Sequence, residues 1–120
     1  MIHIGINYYA VKNRPTVETP IHIGKSSWGW LFCFQTHNDA WRDVPVVWNT
    51  YEEVKDWLKK HTVDKNEYVI IDEDDEIISY LEFIDIIEDK QNDEYCITNP
   101  DNFVHSRNVN GYRFVDGDFS

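Results

Sequence analysis

The sequence predicts an α+β fold: a single domain with a mostly antiparallel sheet and two amphipathic helices. Three observations carry this prediction. Segments with strand periodicity outnumber those with helical periodicity. Several of them lie too close together in the chain for helical crossovers, which leaves antiparallel pairing. Two Ser/Thr-x-x-Glu signatures each open a run with apolar residues at helical spacing. With 120 residues, 42% hydrophobic and 15% aromatic, residues 1–120 hold enough apolar material for one packed core.

The elements follow in chain order. Ile2, Ile4 and Ile6 alternate with His3, Gly5 and Asn7, the period of a strand with one buried face. Asn13 to Pro20 reads as a loop, and Ile21 to Ile23 as a short strand. Gly24 to Ser27 has the composition of a turn. Trp28, Trp30, Phe32 and Phe34 then share one face of a strand and Gly29, Leu31, Cys33 and Gln35 the other, which predicts a central strand. Val46 to Trp48 is a brief extended piece. Thr50 and Glu53 form a capping box for a helix from Tyr51 to Lys60, whose apolar stripe is Tyr51, Val54, Trp57, Leu58 and His61. Tyr68 to Ile71 is a strand ending in the turn DEDDE. Ser79 and Glu82 cap a second helix reaching about Lys90, with Tyr80, Leu81, Phe83, Ile84 and Ile87 inward and Glu82, Asp85, Glu88 and Asp89 outward. Two further strands, Tyr95 to Thr98 and Tyr112 to Val115, flank a loop containing Asn99-Pro100 and Asn110-Gly111.

The net charge is -11, and it is concentrated. Asp64 to Glu94 holds thirteen acids and two bases, a local excess equal to that of the whole chain. Direct nucleic-acid binding needs Lys and Arg on the phosphates, so this surface disfavours it and favours a basic protein partner. No apolar run approaches the roughly 18 residues that cross a bilayer, and MIHIGINYYA lacks the basic start and apolar stretch of a signal peptide. The expectation is a cytoplasmic protein without a membrane partner. Cys33 and Cys96, the only cysteines, sit in apolar surroundings that suit buried thiols rather than a disulfide framework.

The candidate motifs are few. Gly24-Lys25-Ser26-Ser27 lacks the glycine of a P-loop, since Thr19 stands five positions earlier, and aromatic strand residues follow where a P-loop has a helix. Lys25, Ser26 and Ser27 retain a looser role as an anion-binding turn beside the plain turn that Gly and Ser usually make. Asp72 cannot open an EF-hand loop, because Ile77 and Phe83 occupy its sixth and twelfth positions. The five histidines and two cysteines show no close ligand pair, so neither a metal nor any other cofactor is expected. His22, His37 and Lys25 include the acid, base and cation of phosphodiester chemistry by residue type alone, with no nucleophile motif beside them. Trp28, Trp30 and Trp57 fit the core, whereas Trp41 and Trp48, beside turn residues, are candidate exposed anchors.

Five segments together carry a resemblance: GINYY, IHIGKSSWGWLF, VKDWLK, VIIDEDDEIISYLEF and the ending GYRFVDGDFS. In this order they resemble a group of small bacteriophage and prophage proteins without assigned activity, over most of the chain. Members often carry a Cys-x-x-Cys pair between the first two segments. This chain has AVKNRPTVETP there, so no metal role is carried over. The resemblance implies a phage accessory protein acting in the host cytoplasm, a class that often binds and disables host proteins, including defence nucleases such as CRISPR effectors.

Two functional readings result. In the first, the protein is a non-enzymatic inhibitor of a host protein, and Asp72, Asp74, Asp75, Glu82, Asp85 and Asp89 form an anionic, DNA-mimicking contact surface. Glu82, Asp85 and Asp89 lie at i, i+3 and i+7, on one helix face. An acidic helix face is equally what solvation alone selects. In the second, the protein is a small-ligand or phosphate-binding protein, or a hydrolase, centred on His22, Lys25, Ser26 and Ser27.

Overall fold

A computed structural model of the chain describes residues 5–27, 31–36, 48–92 and 106–115. These residues form one seven-stranded sheet and two α-helices, an α+β architecture. The strands are β1 (Gly5–Lys12), β2 (Ile21–Ser27), β3 (Cys33–Gln35), β4 (Tyr68–Asp72), β5 (Ile77–Ile78), β6 (Ser106–Val109) and β7 (Tyr112–Val115). Their order across the sheet is β5-β4-β1-β2-β3-β7-β6. Every pairing is antiparallel except β3 with β7.

Helix α1 spans Tyr51–Leu58 and runs on into a π-helical segment, Lys59–Asp64, so the helical stretch is longer than the sequence predicts and changes pitch near its expected end. Thr50 caps it: its Oγ1 accepts from the Glu53 amide at 3.1 Å, while Glu53 Oε1 accepts from the amide of Asn49, one residue before the cap, at 3.1 Å. Helix α2 spans Tyr80–Asn92 and is opened by Ser79, whose Oγ accepts from the Glu82 amide at 3.2 Å.

Alternation sets the faces of the sheet. Tyr8 and Ala10 of β1, Ile21 and Ile23 of β2, Phe34 of β3, Ile70 of β4 and Phe114 of β7 join one cluster with Val54 and Leu58 of α1 and Phe83 and Ile87 of α2. The aromatic core is continuous, with Phe32 meeting Phe34 at 4.7 Å between centroids and Phe83 edge-on at 5.7 Å. As expected, β3 is an inner strand covered on both sides, since Leu31 to Thr36 are all buried, but it is shorter than the sequence predicts: Leu31 and Phe32 precede it outside the ladder.

Four expectations need correction. Gly24 to Ser27 is not a turn: β2 runs through it, pairing Lys25 with Asn7, Ser26 with Ile6 and Ser27 with Gly5. Trp48 is not exposed; it is fully buried and its Nε1 donates to the Gln35 carbonyl at 2.7 Å. Leu81 is 73% exposed, because it precedes Phe83 by two residues, about 200° of helix, and so faces away from the core. Asn110 and Gly111 do not lie in a long loop between two strands. They are the two-residue turn of the β6–β7 hairpin, with φ of 54° and 89°, as a type I′ turn requires. The expected strand Tyr95 to Thr98, together with Trp28, Trp30, Trp41, His3, His37, His105 and Cys96, lies outside the described residues.

Candidate functional site

The acidic candidates occupy two consecutive parts of the chain, the β4–β5 turn and the outward side of α2. In the turn, Asp72 serves the backbone. Its Oδ1 accepts from the Asp74 and Glu76 amides at 2.8 and 3.0 Å, and its amide donates to the Glu76 carbonyl at 3.0 Å. Asp75 takes the left-handed conformation, φ 63°, that Asp tolerates better than most residues. Asp72 is thus half-buried and builds the turn, while Asp74 and Asp75 stand exposed on it. Glu73 is also engaged, since its Oε1 accepts from the Asn7 amide at 2.7 Å and extends the β1–β4 pairing by one contact.

On α2, Glu82, Asp85, Glu88 and Asp89 are exposed. Glu88 accepts from the Tyr51 hydroxyl at 3.2 Å, which ties α2 to α1. Burial first, and then the Glu88 carboxylate, push the Tyr51 phenol far above its ordinary range, so it remains a donor at any physiological pH. Among the described residues the ion pairs within 4.0 Å are Lys12–Glu18 and His61–Glu67, and none involves Asp74, Asp75, Glu82, Asp85 or Asp89. From Asp72 to Asp89 the chain holds nine acids and no lysine or arginine. Sequence periodicity alone did not place Leu81, which stands at i-4 from Asp85 on the same outward face. Ile77, 71% exposed, directly follows the acidic turn. A wheel centred on Phe83 and Ile87 shows the position of Leu81, but exposure of Ile77 depends on β5 being the last strand of the sheet.

The second candidate group is divided by the strand that contains it. Lys25 pairs with Asn7 and Ser26 with Ile6, so successive residues of β2 project to opposite faces and Lys25 and Ser26 do not converge on one anion. His22 lies on the sheet face of Asn7 and Gln35, where both its ring nitrogens are engaged: Nδ1 with Gln35 Oε1 at 3.2 Å and Nε2 with Asn7 at 2.9 Å. Gln35 Nε2 faces the Val115 carbonyl at 3.4 Å, which leaves its Oε1 for His22. The partner of His22 Nε2 is Asn7 Oδ1, an oxygen that accepts, so a proton on Nε2 is donated to it. The histidine is held as a bridge between strands, which is not the arrangement of a general base open to substrate.

Cys33 shares that face, fully covered. Burial raises its thiol to about 11, against the opposing pull of Arg113, Lys25 and Lys90. In a Cys96→Ser variant, the native protein is therefore expected to react with Ellman's reagent at pH 8 at least about 100-fold more slowly than the same chain in urea. Comparable rates in the two states would show an accessible, activated thiol. Among the described residues no group of three His, Cys, Asp or Glu side chains is placed to hold a metal ion, and no helix is long and apolar enough to cross a membrane. Comparison with known proteins adds no relative: no family model, no curated protein and no solved structure matches this chain.

Proposed function

We propose that this protein acts by binding, as a phage-type inhibitor that lays the outward face of α2 and the adjoining β4–β5 turn on a basic surface of a host protein. The observation that carries this reading is the exposure of Glu82, Asp85 and Asp89 on one helix face with no described cation in ion-pair range. Solvated acids on a protein are ordinarily interspersed with lysine and arginine, and the stretch from Asp72 to Asp89 has neither. The resemblance to phage accessory proteins supplies the host context, with a nucleic-acid-binding groove of a defence nuclease as the kind of basic surface concerned.

Charge density bounds how far mimicry of DNA extends. Glu82 to Asp89 rises about 10 Å along the helix and carries four acids, whereas duplex DNA presents about six charges over that length. The helix alone therefore falls short of the duplex, and Asp74 and Asp75 on the turn supply part of the difference. Electrostatics of this density steers a basic partner and sets register, while tight binding needs further contacts.

The test begins with capture of the host protein from a bacterial lysate and its identification, followed by titration of the purified pair. Replacing Glu82, Asp85 and Asp89 together by lysine is expected to weaken binding about 100-fold or more near physiological salt, and the wild-type affinity is expected to fall steeply as salt rises. The three sites are exposed, so circular dichroism should retain the wild-type fold. The main structural cost is at Glu82, where a cation replaces an anion in the first helical turn, at about 0.3–1 kcal/mol. Unaltered affinity in the triple variant would remove this function.

A further inference from the structure

Beside the acidic turn lies an apolar groove that neither solvation nor the core explains. It opens where β5 ends the sheet, between the π-helical segment and the start of α2, with a volume of about 290 Å3. Val63, Tyr68, Ile70, Ile77, Ile78 and Tyr80 line it. Its two aliphatic hydroxyls are already engaged, since Thr62 Oγ1 donates to the Leu58 carbonyl at 2.7 Å and Ser79 Oγ accepts from the Glu82 amide. What the groove offers a visitor is therefore apolar surface. An apolar cavity of about 150 Å3 is enough to take up benzene, so this one has room for a bulky apolar side chain. Val63, 52% exposed, and Ile77, 71% exposed, stand at its mouth.

The charges around the groove select what else the visitor carries. On the β5 and α2 side the flanking residues are Asp74, Asp75 and Glu76 before Ile77, and Glu82 and Asp85 after Tyr80, all exposed and all acidic. On the π-helical side the charges are mixed, with Lys60 and Lys65 near Asp64. We propose that the groove is the anchor pocket for the partner: it takes a bulky apolar side chain from a segment whose neighbouring residues are lysine or arginine, and those cations lie toward α2. The basic half of this description rests on the anionic-surface reading above; the apolar half rests on the groove alone. Together they supply the contact that helix charge density leaves wanting.

The experiment displays a random 12-residue peptide library to the full-length chain and measures affinities of fluorescein-labelled peptides made from the enriched sequences. Enrichment of a Leu, Phe or Trp flanked by Lys or Arg is expected. Ile77→Gln and Val63→Gln keep the charge and alter only exposed positions, and each should weaken such a peptide at least tenfold without lowering the melting temperature. Amide shifts on peptide addition should centre on Val63, Ile77 and Tyr80. Purely basic peptides that ignore both glutamine variants but are lost in the Glu82, Asp85, Asp89 triple variant would overturn the anchor pocket and leave the anionic surface standing. Apolar peptides without basic residues would overturn the proposal together with the anionic reading of the partner. No enrichment, or shifts confined to other parts of the chain, would overturn the anchor pocket.

Discussion

Gly24→Ala is expected to destabilise the protein by about 3 kcal/mol, at the upper end of what overpacking a core ordinarily costs. A Cβ at this position would lie 2.3 Å from the Cys33 carbonyl oxygen and 2.4 Å from Cε1 of Phe32. Neither neighbour can move cheaply. The carbonyl belongs to β3, which is paired with β2 on one side and β7 on the other. Phe32 is fully buried, with Tyr8 at 5.9 Å, Phe34 at 4.7 Å and Phe83 at 5.7 Å between ring centroids. For a chain of this size a loss of that magnitude moves the urea midpoint down by between about 1 and 3 M, which tryptophan fluorescence reads directly. Ser26→Ala, two residues further along the same strand and only partly buried, should stay within about 0.5 kcal/mol of wild type. A Gly24→Ala protein with an unchanged midpoint would mean that β2 and β3 do not approach as closely as described. The glycine of Gly24-Lys25-Ser26-Ser27 thus answers to strand packing, and the phosphate that its motif suggests has no part in the explanation.

Elements whose signals are local were legible. The N-caps at Thr50 and Ser79 start their helices where the Ser/Thr-x-x-Glu spacing places them, because a cap needs only residues three apart. The stripe Tyr51, Val54 and Leu58 is buried as periodicity predicts. Elements that exist only through distant partners were not legible. Ile77–Ile78 is a strand because β4 pairs with it, and two residues carry no period. β2 extends through Ser27 because β1 lies beside it over that length, although Gly, Lys and Ser in a row have the composition of a turn. The parallel pairing of β3 with β7 joins Cys33 to Arg113 across eighty residues of sequence, and no local pattern announces it. The Asn110-Gly111 turn did carry its signal, and what hid the hairpin was the weak strand pattern of Ser106–Val109.

The site divides along the same line. Concentration of charge between Asp64 and Glu94 is a property of composition, so the sequence displays it. Which carboxylates are free to meet a partner is a property of the fold. Asp72 is consumed by the turn, Glu73 by the Asn7 amide and Glu88 by the Tyr51 hydroxyl, while the carboxylates of Glu82, Asp85 and Asp89 have no such partner among the described residues. The apolar groove was hidden for a further reason: Val63, Tyr68 and Ile77 come from three separate elements, and each reads in isolation as ordinary core or surface.

Trp48→Ala should cost about 3–5 kcal/mol, a large share of the 5–15 kcal/mol that a typical domain possesses. Trp48 is fully buried, and it precedes the Thr50 cap by two residues, so it pins the entry to α1 against the end of β3. Its ring meets Trp57 edge-on at 5.6 Å, and Trp57 in turn packs on Tyr68 at 5.0 Å and on His61 at 4.5 Å. Trp48→Phe separates the two contributions, because it keeps most of the apolar volume and removes the donor to the Gln35 carbonyl, a loss of about 1–3 kcal/mol. Both values come from urea titration. Because Trp57 and Tyr68 connect Trp48 to the wall of the apolar groove, Trp48→Ala should also weaken a groove-binding peptide under conditions where the variant remains folded. A cost below about 1 kcal/mol, with peptide binding intact, would contradict the buried position and return Trp48 to the surface role its sequence neighbours suggest.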